Sequence, residues 1–248
     1  MPLIASNIHH RYGRRIALHD VSVEFPLGSS LLLGPNGAGK STMLEILASL
    51  RPPTDGSIAI DGVGGPGPRS KDRRRYREAV AWLPQSMKTY PGVTVREHVA
   101  LAGWFKGMTK AAAWSSSLRS LALVGLEPKA NEAAKTLSGG QTRRLGIAGA
   151  LVHDAQVLLL DEPTANLDPA QRRQFRTITA DLAESRTIVV SSHDTDEAIG
   201  TFSKVVVLAA GTVKFDGTPD AFIGDSPAGL SGSERMQIAY EQRVGTAE

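Results

Sequence analysis

Residues 34–42 read Gly-Pro-Asn-Gly-Ala-Gly-Lys-Ser-Thr, and no other stretch limits so tightly what this chain can become. Leu31, Leu32 and Leu33 precede it as an apolar run, and Met43, Leu44, Ile46 and Leu47 follow at helical spacing. The predicted context is therefore strand, glycine loop, helix. Gly34, Gly37 and Gly39 permit left-handed dihedrals that turn backbone N–H groups inward, and the following helix aims the positive end of its dipole at the same point. A loop of this kind cradles phosphate, with Lys40 reaching the β- and γ-phosphates of a nucleotide and the Ser41 hydroxyl placed for Mg²⁺. An ordinary glycine turn is the competing reading, and it gives no reason for the flanking strand and helix.

A second constellation lies about a hundred residues on. Val157-Leu158-Leu159-Leu160 reads as a buried strand that ends in Asp161-Glu162, two carboxylates at a strand's carboxyl end, where open α/β sheets bind their ligands. Asp161 can hold Mg²⁺ together with Ser41, and Glu162 can polarise an attacking water. Acidic residues that cap the next helix or pair on the surface would look the same in sequence. Thr187-Ile188-Val189-Val190 is a further buried strand, and it delivers His193 to the same predicted edge, either as a structural histidine or as a group facing the γ-phosphate. Leu137-Ser138-Gly139-Gly140-Gln141 opens another helix: Ser138 is a good N-cap and Leu145, Ile147, Ala148 and Leu151 supply its apolar face. This is a second anion-binding helix start. One nucleotide needs only one, unless the second serves a nucleotide held by another chain.

The remaining residues fit an α/β protein with a helical insertion. Residues 3–9 and Val21, Val23 and Phe25 have β character, and Ser57-Ile58-Ala59-Ile60 alternates like a hairpin strand. Tyr12, followed by Gly13, either stacks on a purine base or packs at the end of a strand. Residues 64–68 read as a flexible glycine-proline segment, and Arg69, Lys71, Arg73, Arg74, Arg75 and Arg77 follow as a basic cluster, either a solvated face or a contact for anionic lipid or an acidic partner. Residues 79–84 read as a buried strand ending at Gln85, and helices are predicted over 94–106 and 111–124 in a mostly helical stretch that runs to residue 150. Among 248 residues there is no cysteine, which removes disulfides and thiolate metal sites, and no apolar run approaches a membrane span or a signal peptide's core. A net charge of +3 argues only weakly for nucleic acid or an anionic membrane.

With these residues together, the chain resembles the nucleotide-binding subunit of an ATP-binding-cassette transporter over residues 3–222. Tyr12 matches the adenine-stacking aromatic, residues 34–42 the Walker A loop, Gln85 the Q-loop glutamine, residues 137–141 the signature motif, Asp161 and Glu162 the Walker B end, residues 165–168 the D-loop, and His193 the switch histidine. The resemblance implies a P-loop NTPase (RecA-like) core, residues 1–85 and 152–222, with an N-terminal antiparallel β layer. It also implies an inserted helical subdomain over about 86–151 and a short tail over 223–248. It implies that Tyr12, Gly34, Asn36, Gly37, Ala38, Gly39, Lys40, Ser41 and Thr42 bind ATP. Ser41, Gln85 and Asp161 would hold Mg²⁺, and Lys40, Gln85, Glu162 and His193 would serve hydrolysis. Two chains, identical or related, would close head to tail over two ATP molecules. Ser138, Gly139, Gly140 and Gln141 would then face the partner's nucleotide, with Asn166, Leu167 and Asp168 at the D-loop. The cassette would drive a separate transmembrane permease from the cytoplasmic side of the membrane, with no nucleic acid as partner.

A finer likeness runs through Leu83-Pro84-Gln85, Tyr90-Pro91, Thr94-Val95-Arg96-Glu97 and Lys106-Gly107, which are similar to ATP subunits of ABC-2-type exporters. Two departures stand out: Thr142-Arg143-Arg144 after the signature, where the family often has a basic residue, Gln and Arg, and the glycine- and arginine-rich segment 64–77. The short tail, with no room for a regulatory domain, leans toward export. A soluble cassette acting on DNA or the ribosome is the alternative, but one cassette without sustained heptads does not suit it. A P-loop kinase or GTPase would leave residues 137–141 without a purpose, and no Asn-Lys-x-Asp motif is present.

Overall fold

The computed structural model describes residues 1–165, 167–195, 202–224 and 230–245. Strands β1 (Leu3–Tyr12), β2 (Arg15–Phe25) and β4 (Asp55–Ile60) form an antiparallel sheet in the order β2-β1-β4. A second sheet carries β3 (Gly28–Leu33), β5 (Val80–Leu83), β6 (Val157–Asp161), β7 (Thr187–Ser192), β8 (Lys204–Ala209) and β9 (Thr212–Gly217). Its order is β5-β6-β7-β3-β8-β9, parallel throughout except for β9.

Why the central strands read as unbroken apolar runs is visible in their packing. Successive strand residues point to opposite faces, and here both faces are covered. Leu31, Leu33, Leu158, Leu160, Ile188, Val190, Val205 and Val207 enter one core; Leu32, Leu159, Val189, Val206 and Leu208 enter the other. The second core also takes Leu3, Ile8 and Phe25 from the antiparallel sheet and Met43, Leu44 and Leu47 from helix α1 (Lys40–Leu47). The first takes the helical insertion, where α3 (Val95–Phe105), α4 (Lys110–Leu123) and α5 (Gly139–Leu151) bury Val95, Val99, Leu121 and Leu145. Thr94 and Glu97 close a capping box on α3, which fixes its start one residue past the predicted boundary.

Two segments carry more structure than their sequences suggest. After the glycine-proline loop, the basic cluster, to which the sequence reading gives no secondary structure, forms helix α2 (Ser70–Ala79). Its lone apolar anchor is the fully buried Tyr76, whose hydroxyl donates to Leu47 O at 2.8 Å. The arginines lie exposed; Arg75 and Arg77 are tied back to the fold through Gly62 O and Ser49 O, and Arg74 pairs with Glu78 one turn along the same helix. Near the chain's end, α6 (Pro169–Ala183) and α7 (Pro219–Ile223) are followed by α8 (Gly232–Val244), and the last buries Met236 and Ala239 in the first core.

Just past α5, His153 sits half-buried beside β5 and near Lys106, and burial pushes its pKa down to about 4. A histidine held neutral in the folded state and titrating normally when unfolded leaves the unfolded chain with more bound protons between about pH 4 and 6.5. Its contribution to stability is complete above pH 6.5 and is lost as pH falls through that window. Urea unfolding at pH 7.5 and pH 5 should therefore show His153→Leu gaining about 2 kcal/mol on wild type at the lower pH. An equal difference at both values would contradict the buried, neutral imidazole.

Candidate active site

The strand order sets the site. β5, β6, β7 and β3 are neighbours, so the segments leaving their carboxyl ends bring Gln85, the Asp161-Glu162 pair, His193 and the glycine loop to one edge. The loop folds as a cradle at the start of α1. Gly39 has φ of 106°, and a Cβ there would lie 2.7 Å from Ala17 O, so only glycine fits. At Gly34 a Cβ would collide with Leu208 O on the neighbouring strand.

A cavity of about 380 Å³ opens over this cradle, lined by Tyr12, Arg15, Ala17, Asn36, Gly37, Gly39, Lys40, Ser41, Thr42, Gln85 and Glu162. Lys40 is buried and donates to Gly34 O at 2.7 Å and Pro35 O at 3.2 Å, with its Nζ 3.9 Å from Glu162 Oε1. Burial lowers its pKa, partly offset by Glu162 and Asp161. At the cavity's mouth Tyr12 is 43% exposed, its hydroxyl 3.3 Å from Thr42 Oγ1. Arg51 lies over one face of the Tyr12 ring at 4.8 Å.

Glu162 is the point of convergence. Gln85 Nε2 donates to its Oε2 at 2.9 Å, His193 Nδ1 lies 3.2 Å from its Oε1, and Lys40 is on its third side. Its φ is +43°, a left-handed conformation that costs a non-glycine residue about 1–3 kcal/mol and persists only where neighbours over-determine it. One of those neighbours is Ser191, whose hydroxyl accepts from Glu162 N at 3.0 Å and donates to the buried Asp161 Oδ1 at 2.6 Å.

Not every predicted residue reaches this cavity. Asp161 is buried behind it, and His193 lines a neighbouring cavity of about 240 Å³ with Glu162, Thr164, Ala165, Arg172, Ser192 and Asp194. Ser138 and Gln141 form a capping box at the exposed start of α5, outside both cavities, and Gly139 there has open space around it. Asp168 caps α6 by accepting from Gln171 N at 2.8 Å, Leu167 O accepts from Arg172 Nε at 3.2 Å, and Asn166 lies outside the described residues. Sequence reasoning did not single out Arg15, Ala17 or the Ser191 bridge. A basic residue three positions after Tyr12 was a usable signal for Arg15; Ser191 had none.

A glycine cradle at the end of β3, facing carboxylates at the end of β6 with one parallel strand, β7, between them, defines a P-loop nucleotide hydrolase. Within that class the chain belongs to the ABC transporter family, whose model matches residues 18–165, and it is an ATPase. It is 36% identical over 224 residues to the Nod factor export ATP-binding protein I of Burkholderia orbicola, covering 90% of this chain and 72% of that protein. It is also 36% identical over 216 residues to the Fe(3+) ions import ATP-binding protein FbpC of Rhizobium etli, covering 86% of this chain and 60% of that one. The dimeric post-hydrolysis state of the ATP-binding cassette MJ0796, bound to ADP and Pi, superposes with a TM-score of 0.77 at 27% identity, covering 87% and 98%.

Ser191→Ala removes both the donor to a buried carboxylate and the acceptor for Glu162 N–H. Unfolding in urea should show a loss of about 1–3 kcal/mol with an unchanged m-value. Wild-type stability would mean that the bridge does not hold the carboxylate strand end.

Proposed function

We propose that the chain is the ATP-hydrolysing subunit of a membrane exporter, acting as one of two cassettes closed head to tail and driving a separate transmembrane permease. The observation that carries this reading is the Glu162 carboxylate, held by Gln85, His193 and Lys40 beside a phosphate cradle. There it acts as base toward the attacking water, while Lys40 and the cradle N–H groups of Gly37, Ala38 and Gly39 take the phosphates. His193 and Gln85 orient that water and the γ-phosphate. Tyr12 offers the ring face away from Arg51 to the adenine.

Mg²⁺ suits the donors at hand. Among the described residues no group of three or more His, Cys, Asp or Glu could hold a metal by itself. Asp161, the Ser41 hydroxyl and the Gln85 amide oxygen, completed by phosphate oxygens, give the oxygen-only, partly substrate-built coordination that Mg²⁺ prefers. A cation there neutralises charge on the β- and γ-phosphates.

The exposed Ser138 and Gly139 and the half-buried Gly140, away from the chain's own cavity, suit contact with the partner's ATP, as do Gln141 and the D-loop residues Leu167 and Asp168. Two identical chains suffice, since each has an intact cradle and an intact signature. No helix among the described residues is long and apolar enough to cross a membrane, so the span is assigned to the permease. Its docking place is a groove of about 280 Å³ between β5 and the helical insertion, lined by Trp82, Met87, Tyr90, His98, Lys106 and His153 among others. Pro84, also in its wall, is the residue before Gln85, so docking and catalysis share one segment. Likeness to the Nod factor export protein favours export, and a place on the cytoplasmic face follows from where ATP is found.

Glu162→Gln should keep ATP binding and lower turnover by about 10²-fold or more. With Mg-ATP, the tagged variant should capture a multi-spanning membrane protein from detergent-solubilised membranes. Capture of ribosomal or DNA-associated proteins alone would overturn the transport reading.

A further inference from the structure

Arg143 is the fifth residue of α5, a half-buried side chain on the helix that Ser138 caps. Its guanidinium grips four backbone carbonyls in two different loops. Nη1 donates to Gln85 O at 2.6 Å and Pro84 O at 3.0 Å, Nη2 to Glu162 O at 2.6 Å, and Nε to Pro163 O at 3.0 Å. The planar fork of arginine, with five N–H donors in fixed directions, can span two loops in this way; an ammonium or an amide cannot.

Three features set this contact apart from general packing. Two of the carbonyls are those of Gln85 and Glu162, whose side chains bond each other at 2.9 Å, and the other two belong to their chain neighbours Pro84 and Pro163. Glu162 holds its left-handed φ of +43°, and its own carbonyl and the next are both in the grip of the same guanidinium. The third feature is the link to the helix start. Thr142 N donates to Ser138 O at 2.8 Å, so the first turn is closed and rigid, and Arg143 stands only about 7.5 Å along the axis from the cap. A shift of the exposed Ser138-Gly139 end must move the guanidinium, and with it both loops.

We propose that Arg143 is a positioning residue which couples the signature helix to the hydrolytic pair, setting the Gln85 and Glu162 backbones in register when the start of α5 is engaged. Arg143 itself lines neither cavity, so it acts through the two loop segments it holds, Pro84-Gln85 and Glu162-Pro163. This inference rests on the roles given above to Gln85 and Glu162.

The test uses the full chain with Arg143→Lys, Arg143→Gln, Gln85→Ala and Glu162→Gln variants. Melting temperature, affinity for a fluorescent ATP analogue, KM and kcat are measured for each. Arg143→Gln should stay folded, melting some degrees below wild type for the lost carbonyl bonds, and keep its affinity and KM within about twofold, while kcat falls about tenfold or more, because the nucleotide contacts are kept and the geometry of the transition state is disturbed. Arg143→Lys should recover part of kcat. In the Gln85→Ala background the Arg143→Gln change should cost less than about threefold, since part of what it positions is gone.

Wild-type kcat in folded Arg143→Gln protein would overturn the proposal. So would a fall in kcat matched by lost affinity, a full effect in the Gln85→Ala background, or the failure of both Arg143 variants to fold, each of which makes the residue a structural strut. Glu162→Gln separates the two readings: full activity there removes the base assignment, whereas its loss beside an unaffected Arg143→Gln removes only the coupling.

Discussion

Both faces of the parallel sheet are buried, and that constraint governs where this protein can do chemistry. A strand whose alternate residues all enter one core or the other has no place along its length for a catalytic side chain. Along β3, β5, β6 and β7 the polar side chains within the strands are small hydroxyls, and the one charged side chain, Asp161, stands where its strand stops. The order β5-β6-β7-β3 then puts four such ends side by side, each with a different instrument: an amide, two carboxylates, an imidazole and a phosphate loop. The antiparallel sheet adds the fifth, the Tyr12 ring and its neighbour Arg15, brought to the cavity by the turn between β1 and β2.

Within that edge the electrostatics are arranged around one carboxylate. Glu162 is nearly buried, and its desolvation is offset by an amide donor, an imidazole nitrogen and an ammonium on separate sides. Lys40 is itself desolvated and held to two cradle carbonyls, so it is fixed in place where a phosphate would sit. The strained backbone at Glu162 is kept by the Ser191 bridge on one side and by Arg143 on the other. The site is therefore a balance among contacts contributed by α1, α5 and three strand ends, and no one of these elements contains it.

The sequence revealed whatever depended on periodicity or on chemistry at fixed spacing. The buried strands showed as apolar runs, and α3 to α5 showed as helical spacing, with Ser138 legible as the cap of α5. The cradle and the carboxylate pair showed as motifs. What stayed hidden lacked a periodic signal. α2 has one apolar anchor, Tyr76, among five basic residues, so its pattern reads as a charge run. α8 packs through Met236 and Ala239 alone among fully buried residues, too sparse a stripe to stand out. Hidden too were the left-handed φ of Glu162, the Ser191 bridge and the four carbonyls on Arg143, because each joins residues far apart in sequence that only the sheet order brings together.

The central claim is that a competent site is built from the cradle of one chain and the signature of another. Mixing two inactive proteins tests it most directly: Lys40→Ala, which lacks its cradle cation, and Gly139→Asp, which places a carboxylate where the partner's phosphates would lie. Gly139 has open space around its Cβ position, so the second change leaves the fold alone. Each protein by itself should be inactive. Their equimolar mixture should recover ATP turnover to about a quarter of wild type, because half the pairs are mixed and each mixed pair has one intact composite site. No recovery at any ratio between two folded, nucleotide-binding partners, or full activity of Gly139→Asp alone, would contradict the account.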